Sequence, residues 1–225
     1  MRLVLLRHGQ TPSNVAGALD TAAPGAALTP LGHRQAAAVV DGFADVTGVG
    51  VAELDGVYAS DRVRTQLTAA PLAAARGIEV PTFAGFGEVA AGAHEMSVTD
   101  EAVRAYLRTL GAWIGGDLDV ALPNGESGHD FLARFDGALA EALAGHGDDA
   151  RVVVVSHGAA IRAFTARRTG DGGGWPEDRR HLSNTGCAVL DGDPERGWRL
   201  VRWREDPLGG AALLDEMAHD VTGEG

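Results

Sequence analysis

Two apolar segments of this sequence end alike, in a histidine followed by a glycine. The first runs into Arg7-His8-Gly9 and the second into Ser156-His157-Gly158. A short, continuous apolar run is typical of a buried strand, and α/β proteins bind ligands beyond the carboxyl ends of such strands. Glycine at these points lets backbone approach a ligand closely. A lone histidine at a strand end is more often structural. If the two strands are neighbours, however, His8 and His157 face one crevice.

Arginines close to these histidines suggest an anionic ligand. Arg7 precedes His8, and Arg64 lies early in a predicted helix. Helix N-termini and guanidinium groups both favour phosphate oxygens. Thr11 and Asn14 can add neutral donors. Each arginine alone could equally be a surface charge, but the combination with two histidines favours a phosphate site.

Five motifs, in order along the chain, resemble those of the histidine phosphatase superfamily, also called phosphoglycerate mutase-like. The Arg-His-Gly triplet alone is weak, whereas the ordered set, which runs from Arg2 to about Asn184, is specific. The motifs are Arg7-His8-Gly9-Gln10-Thr11 with Asn14, residues 60–69 with Arg64 four positions before Thr68-Ala69, residues 88–92 with Glu88, Gly125-Glu126-Ser127 with Asp130 and Arg134, and Ser156-His157-Gly158.

The resemblance implies a role for each matched residue. His8 would be the nucleophile that takes the phosphoryl group on a ring nitrogen. Glu88 would protonate the leaving alcohol and then activate water. The phosphate would be bound by a larger set, in which we include the motif neighbours: Arg7, Gln10, Thr11, Asn14, Arg64, His157 and Gly158. A histidine nucleophile must be neutral, and adjacent arginines lower its pKa. This scheme requires no metal, and we expect no cofactor.

The absence of two segments that cofactor-dependent mutases share favours the phosphatase branch. The stretches 15–24 and 89–91 lack the Trp-containing segment and the Arg/Tyr-bearing acid block of cofactor-dependent mutases. Position 10 is Gln where many members have Glu, and residues 93–96 lack the aromatic-acid-Gly ending common in phosphatases. We predict a metal-independent hydrolase of a small-molecule phosphomonoester. The alternatives are a phosphoglycerate-type mutase and a non-catalytic phospho-ligand binding protein. The substrate stays open; His94 and His129 could shape its choice or lie in solvent.

The composition argues against several classes of binding partner and of catalytic site. The chain has 225 residues, 45% of them hydrophobic, and a net charge of -12. The acidic balance argues against nucleic acid and anionic membranes, and no apolar run approaches the ~20 residues that span a bilayer. The lone cysteine, Cys187, allows no internal disulfide, and residues 1–9 are too short for a signal peptide, so we expect a cytoplasmic protein. No lysine is present, which excludes a Walker A or Schiff-base lysine. A homodimer is one option for an oligomeric state left open.

The predicted elements alternate between strands and helices. Predicted strands cover residues 3–6, 55–59, 78–83, 151–156, 185–190 and 198–203, and predicted helices cover 30–43, 61–76, 98–114, 126–144 and 159–168. Residues 85–96 and 170–174 read as loops, and the four tryptophans (Trp113, Trp175, Trp198 and Trp203) as core or interface residues. This order predicts an α/β fold with a mostly parallel central sheet and helices on both faces. We expect a single domain over 1–206, with a helical cap-like insertion at about 86–148, and an acidic, Gly-rich tail over 207–225.

Overall fold

The computed structural model describes residues 1–169 and 181–223. The loop predicted at 170–174 and Trp175 lie outside these ranges. Within them, no helix is both long and apolar enough to cross a bilayer.

Six strands form one sheet, in the order β3-β2-β4-β1-β5-β6. The strands are β1 (Arg2–Arg7), β2 (Gly56–Ser60), β3 (Thr82–Phe83), β4 (Arg151–Ser156), β5 (Cys187–Asp193) and β6 (Gly197–Arg204). The first four pair in parallel, whereas β5 and β6 are antiparallel to their neighbours. The predicted mostly parallel sheet is confirmed. Because β1 and β4 are parallel neighbours, with Arg7 opposite Ser156, the two His-Gly endings emerge at the same edge.

Helices cover both faces of the sheet, as predicted. They are α1 (Pro12–Ala16), α2 (Pro30–Thr47), α3 (Val63–Arg76), α4 (Asp100–Gly115), α5 (Gly128–Leu143) and α6 (Gly158–Arg168). Alternate residues of each central strand point to opposite faces. Leu3, Leu5, Val152 and Val154 pack against α4, α5 and α6. Val4, Leu6, Val153 and Val155 pack against α2 and α3. The four central strands therefore hold the site edge between two apolar layers.

Local chemistry explains where element bounds differ from the prediction. The strand predicted at 78–83 is reduced to Thr82–Phe83, because Pro81 has no N–H to donate to a ladder. The short helix α1 was not predicted, although Thr11 caps it reciprocally with Asn14 and Pro12 opens it. β5 begins at Cys187 rather than at Thr185, whose φ of 60° breaks the extended backbone. Within the predicted 85–96 loop, residues Gly92–His94 form a 3-10 turn.

The segment after β6 returns to the site edge of the sheet. Leu208 N donates to Thr185 O, Gln35 Nε2 donates to Leu213 O, and Leu182 N donates to Gly223 O. These bonds lay the described part of the acidic tail, residues 207–223, across the carboxyl end of β1 and the adjacent amino end of β5.

Candidate active site

His8 follows β1 directly and is held as a neutral imidazole. Its Nδ1 lies 2.7 Å from Gly9 O, a geometry in which Nδ1 carries the proton and Nε2 keeps its lone pair. Burial, Arg64 and Arg7 lower the pKa of His8 well below its ordinary value, which outweighs the opposing effect of the Gly9 carbonyl. Only 2% of the His8 surface is exposed to solvent. A neutral imidazole with an unprotonated Nε2 is a competent nucleophile.

Arg64 lies between the two histidines. Its Nε is 3.2 Å from His8 Nε2 and 3.3 Å from His157 Nδ1, and the two imidazole centroids are 5.2 Å apart. The expected crevice is therefore formed. Thr68 links Arg64 to the Arg7-His8-Gly9 motif by two hydrogen bonds. Its Oγ1 donates to Arg64 O and accepts from Gly9 N. The spacing of four residues between Arg64 and Thr68 is about one helical turn, which is why the Thr68 hydroxyl reaches the Arg64 carbonyl oxygen.

His157 is oriented by β2, the other neighbour of β4. Ser60, the last residue of β2, places Oγ 2.8 Å from His157 Nε2. Since Arg64 Nε donates to Nδ1, the proton of this imidazole belongs on Nε2, directed at Ser60. Burial and Arg64 lower the pKa of His157 well below its ordinary value. Ser60 was quoted only as the start of a motif, and nothing in its local sequence marked it as a partner of His157.

Glu88 is buried at the N-terminus of α6. Its Oε1 accepts from Val89 N and Ala160 N, both at 2.8 Å, and its Oε2 accepts from Ala159 N at 3.2 Å. Burial raises the pKa of Glu88, while these backbone donors favour the charged form and oppose the rise. The carboxyl group is thus fixed in position and has a raised affinity for a proton.

The Gly-Glu-Ser motif supports the backbone around Glu88. Arg134 donates to the carbonyl oxygens of Gly85, Gly87 and Glu88 at 2.8–2.9 Å, and its guanidinium pairs with Glu126. Glu126 also accepts from Ala90 N at 3.0 Å. Arg134 and Glu126 thus bind backbone groups of the glycine- and alanine-rich loop that have no partner in a helix or a strand.

A second loop, residues 20–22, closes the site on the Arg64 side. Asp20 O accepts from Arg64 Nη2 at 2.8 Å, and the Asp20 carboxylate lies 3.7 Å from Arg64 Nη1. Glu95 holds the loop by accepting from Thr21 N, Thr21 Oγ1 and Ala22 N at 2.5–2.9 Å. Glu95 belongs to the 93–96 stretch that departs from the family pattern, and its role depends on this non-local contact.

Arg7 is fully buried and is bound by the C-terminal segment. Its Nη1 and Nη2 meet the two carboxylate oxygens of Asp220 at 2.5 and 2.6 Å, and Nη2 also donates to Thr222 Oγ1 at 3.0 Å. Neither tail residue carries a motif, so sequence analysis missed both.

These elements enclose a small cavity beside His8. Its volume is about 10 Å³, room for about one water molecule. It is lined by His8, Thr11, Ser13, Asn14, Ala18, Asp20, Arg64, Glu88 and Thr222. Within the described residues, Arg7 Nε and Arg64 Nη1 are buried donors with no hydrogen-bond partner. Unpaired buried donors are costly, and an anion supplies the acceptors they lack.

Other predicted site residues are placed differently. Gly158 leaves no room for a side chain, since a Cβ there would lie 2.3 Å from Thr222 O. Gln10 faces a separate cavity of about 210 Å³, where its Nε2 donates to Asp215 and its Oε1 accepts from Thr29. His129 is exposed and 3.3 Å from Asp119, and neither it nor the half-buried His94 lines the cavity beside His8. Roles for Gln10, His94 and His129 stay predictions.

Metal binding has no obvious location in the part of the chain that is described. No group of three or more His, Cys, Asp and Glu side chains there could hold a metal ion.

Comparisons with known proteins match almost the whole chain. A profile of the histidine phosphatase superfamily (branch 1) matches residues 3–206. The PE-PGRS family protein PE_PGRS11 of Mycobacterium tuberculosis is 34% identical over 231 positions, which cover 96% of this chain but only 38% of that protein. The "Probable phosphoglycerate mutase GpmB" of Enterobacter sp. (strain 638) is 30% identical over 228 positions, which cover 98% of each chain. Among solved structures, a mycobacterial glucosyl-3-phosphoglycerate phosphatase in complex with VO3 has a TM-score of 0.72 and 28% identity, covering 91% of this chain and 99% of that one.

Proposed function

The chain belongs to branch 1 of the histidine phosphatase superfamily, and from that premise we propose that it hydrolyses a small phosphomonoester through a phosphohistidine on His8. One observation carries the proposal: His8 has its proton on Nδ1 and its Nε2 unprotonated, and an arginine and a buried carboxyl group line the same cavity. These are the nucleophile, the anion-binding group and the acid that phosphoryl transfer to histidine requires.

The first step transfers the phosphoryl group to the enzyme. The unpaired donors Arg7 Nε and Arg64 Nη1 bind phosphate oxygens, with Asn14 Nδ2 beside them. Phosphate oxygens are stronger acceptors than an imidazole, so Arg64 Nε releases His8 Nε2 as the substrate arrives. Nε2 attacks phosphorus, the P–O bond to the alcohol breaks, and Glu88 gives its proton to the leaving oxygen.

The second step returns the enzyme to its initial state. Glu88, now a carboxylate, removes a proton from water, and the resulting hydroxide attacks the phosphorus. The P–N bond breaks, inorganic phosphate leaves, and His8 recovers its neutral form. A raised pKa suits Glu88 to both roles, because the group must hold a proton in one step and accept one in the next.

His157 adds to anion binding through its protonation state. Because Arg64 Nε donates to it, Nδ1 of His157 is an acceptor, which cannot bind a phosphate oxygen. A bound dianion favours the imidazolium form, so substrate binding raises the pKa of His157 and lets Nδ1 donate.

A phosphoglycerate-type mutase is the second candidate, because the relative from Enterobacter carries that name. Hydrolysis is favoured by the likeness to a structure named as a phosphatase and by the missing mutase segments at 15–24 and 89–91. In a mutase the phosphohistidine must return its phosphoryl group to a second hydroxyl of the substrate, whereas in a hydrolase it passes to water.

Phosphate release from a panel of phosphomonoesters, with and without EDTA, tests the proposal. We expect release that EDTA does not reduce, and an acid-labile phosphoenzyme when labelled substrate is quenched. His8→Ala should abolish both signals. The matched control is His33→Ala, which removes an exposed histidine of α2. Full activity of His8→Ala would refute the mechanism. Isomerisation of 3-phosphoglycerate without phosphate release would identify a mutase instead.

A further inference from the structure

We propose that the C-terminal segment belongs to the active site, with Asp220 as the positioning residue that aims Arg7 at the substrate phosphate. This inference rests on the proposed function, in which Arg7 binds a phosphate oxygen. It adds a residue 213 positions away in sequence from the arginine it orients.

The hydrogen bonds of Arg7 leave one direction free. A guanidinium has four N–H groups on its two Nη atoms and one on Nε. Nη1 donates to Leu182 O at 2.7 Å and to Asp220 Oδ2 at 2.5 Å. Nη2 donates to Asp220 Oδ1 at 2.6 Å and to Thr222 Oγ1 at 3.0 Å. All four Nη hydrogens are therefore used, and the Nε–H, which lies next to Gly158 of the second His-Gly motif, is the one donor of Arg7 without a partner among the described residues.

The same carboxylate orients a second phosphate donor. Asn14 Nδ2 donates to Asp220 Oδ1 at 2.9 Å, while Asn14 Oδ1 accepts from Thr11 N at 2.9 Å. The amide is thereby fixed at both ends, with one Nδ2 hydrogen remaining. Asp220 thus links the two donors Arg7 and Asn14 into one rigid unit.

Asp220 lies behind Arg7 rather than in the position of the phosphate. Asp220 lines the cavity that contains Gln10 and Asp215, whereas the lining of the cavity beside His8 includes neither Asp220 nor Arg7. A carboxylate that competed with the substrate would lie in the inner cavity. Its placement matches that of a supporting group, which fixes the geometry of another residue without touching the ligand.

Close packing fixes the segment against Arg7. A Cβ at Gly223 would lie 2.0 Å from Arg7 Nη1, so only glycine fits there. Leu182 N donates to Gly223 O at 2.9 Å, and Gln10 Nε2 donates to Asp215 Oδ2 at 2.8 Å. The Gln10 amide explains the family departure at position 10, since a Glu there would repel the Asp215 carboxylate.

Burial makes Arg7 dependent on its ion pair with Asp220. Arg7 is fully buried, and a buried cation without its partner is strongly disfavoured. Loss of the Asp220 charge therefore leaves Arg7 to turn towards other acceptors, and Nε leaves the phosphate position. The cost falls on binding of the phosphate group, which the KM of substrates and the inhibition constant of inorganic phosphate both report.

The test compares full-length Asp220→Asn with wild type on p-nitrophenyl phosphate. We expect KM and the inhibition constant of inorganic phosphate to rise together by about tenfold or more, with a smaller change in kcat. Glu216→Gln, an exposed change in the same segment, is the matched control and should leave both constants unaltered. The thermal unfolding temperature of each variant distinguishes misorientation of Arg7 from loss of the folded structure.

A double-mutant cycle tests whether Asp220 acts through Arg7. In an Arg7→Gln background, Asp220→Asn should weaken phosphate inhibition much less than it does in the wild-type background, because Arg7 is already gone and Asn14 is the one donor still oriented by Asp220. Tighter phosphate binding by Asp220→Asn, or constants equal to those of wild type, would overturn the inference. Absence of hydrolysis by the wild-type protein, in contrast, would refute the proposed function itself, so the two failures are distinguishable.

Discussion

Arg64 Nε lies 3.2 Å from His8 Nε2, so the lone pair of the proposed nucleophile accepts a hydrogen bond from the arginine that we propose as an anion-binding residue. The bond selects the tautomer in which Nε2 is unprotonated, and the adjacent positive charge keeps the imidazole neutral. In the proposed mechanism, a phosphate group competes for the same N–H and so frees His8 Nε2 as it binds.

Glu88→Gln tests general acid catalysis. The amide keeps the shape of the carboxyl group but has no proton to give, so we expect kcat to fall by about 10²–10⁴-fold on alkyl phosphates. The fall should be much smaller on p-nitrophenyl phosphate, whose leaving group needs little protonation. Glu101→Gln, an exposed change on α4, is the control. Equal losses on both substrates would contradict the acid role.

The pH profile of kcat/KM should be bell-shaped. His8 must be neutral to attack, so activity falls as the pH drops through its pKa, which lies well below the ordinary 6.5. Glu88 must be protonated, so activity falls as the pH rises through its pKa, which burial raises. We expect Glu88→Gln to remove the alkaline limb and leave the acidic one. An alkaline limb that persists in this variant would assign it to another group.

Ser60→Ala tests the orientation of His157. The change removes the Oγ acceptor 2.8 Å from Nε2 and leaves a buried N–H unpaired, at a cost of about 1–3 kcal/mol. We expect a higher KM for p-nitrophenyl phosphate and a weaker inhibition by phosphate. Ser97→Ala, which removes a hydroxyl that bonds to Thr99, should change neither constant. Unaltered constants in Ser60→Ala would show that His157 needs no such support.

Glu95→Ala tests the loop that carries Asp20. Three donors from Thr21 and Ala22 lose their acceptor, so we expect a loss of about 1–2 kcal/mol in the free energy of unfolding. The loop also positions Arg64 through Asp20 O, and KM should therefore rise. Chemical denaturation and steady-state kinetics measure the two effects. Glu79→Ala, an exposed change, should affect neither, and a wild-type KM in Glu95→Ala would uncouple the loop from the site.

Thiol labelling tests the packing at the β1–β5 pair. Cys187 is buried opposite Leu6, and burial raises the pKa of its thiol to about 12. A buried thiol with so high a pKa reacts slowly. We expect the native protein to resist iodoacetamide with no loss of activity, and one thiol per chain to react after denaturation. Rapid labelling of the native protein would show that β5 opens.

Local patterns were enough to predict the sheet and the centre of the site. Continuous apolar runs before His8 and His157 identified two buried strands, and parallel pairing of β1 and β4 brought the imidazoles together. Glu88 came from the family resemblance rather than from its own surroundings. Its raised proton affinity follows from burial against α6, which a sequence pattern does not report.

The amino-acid sequence by itself determined the strands, most of the helices and the motif residues, because periodicity and short spacings act within a few residues of one another. Only the tertiary structure decided which groups orient that machinery: Ser60 on His157, Glu95 on the Asp20 loop, and Asp220 on Arg7. These contacts join residues 74 to 213 positions apart. Hydrogen bonds across such separations depend on how the layers pack, and a single polar residue in a loop or tail carries no periodic signal of its partner.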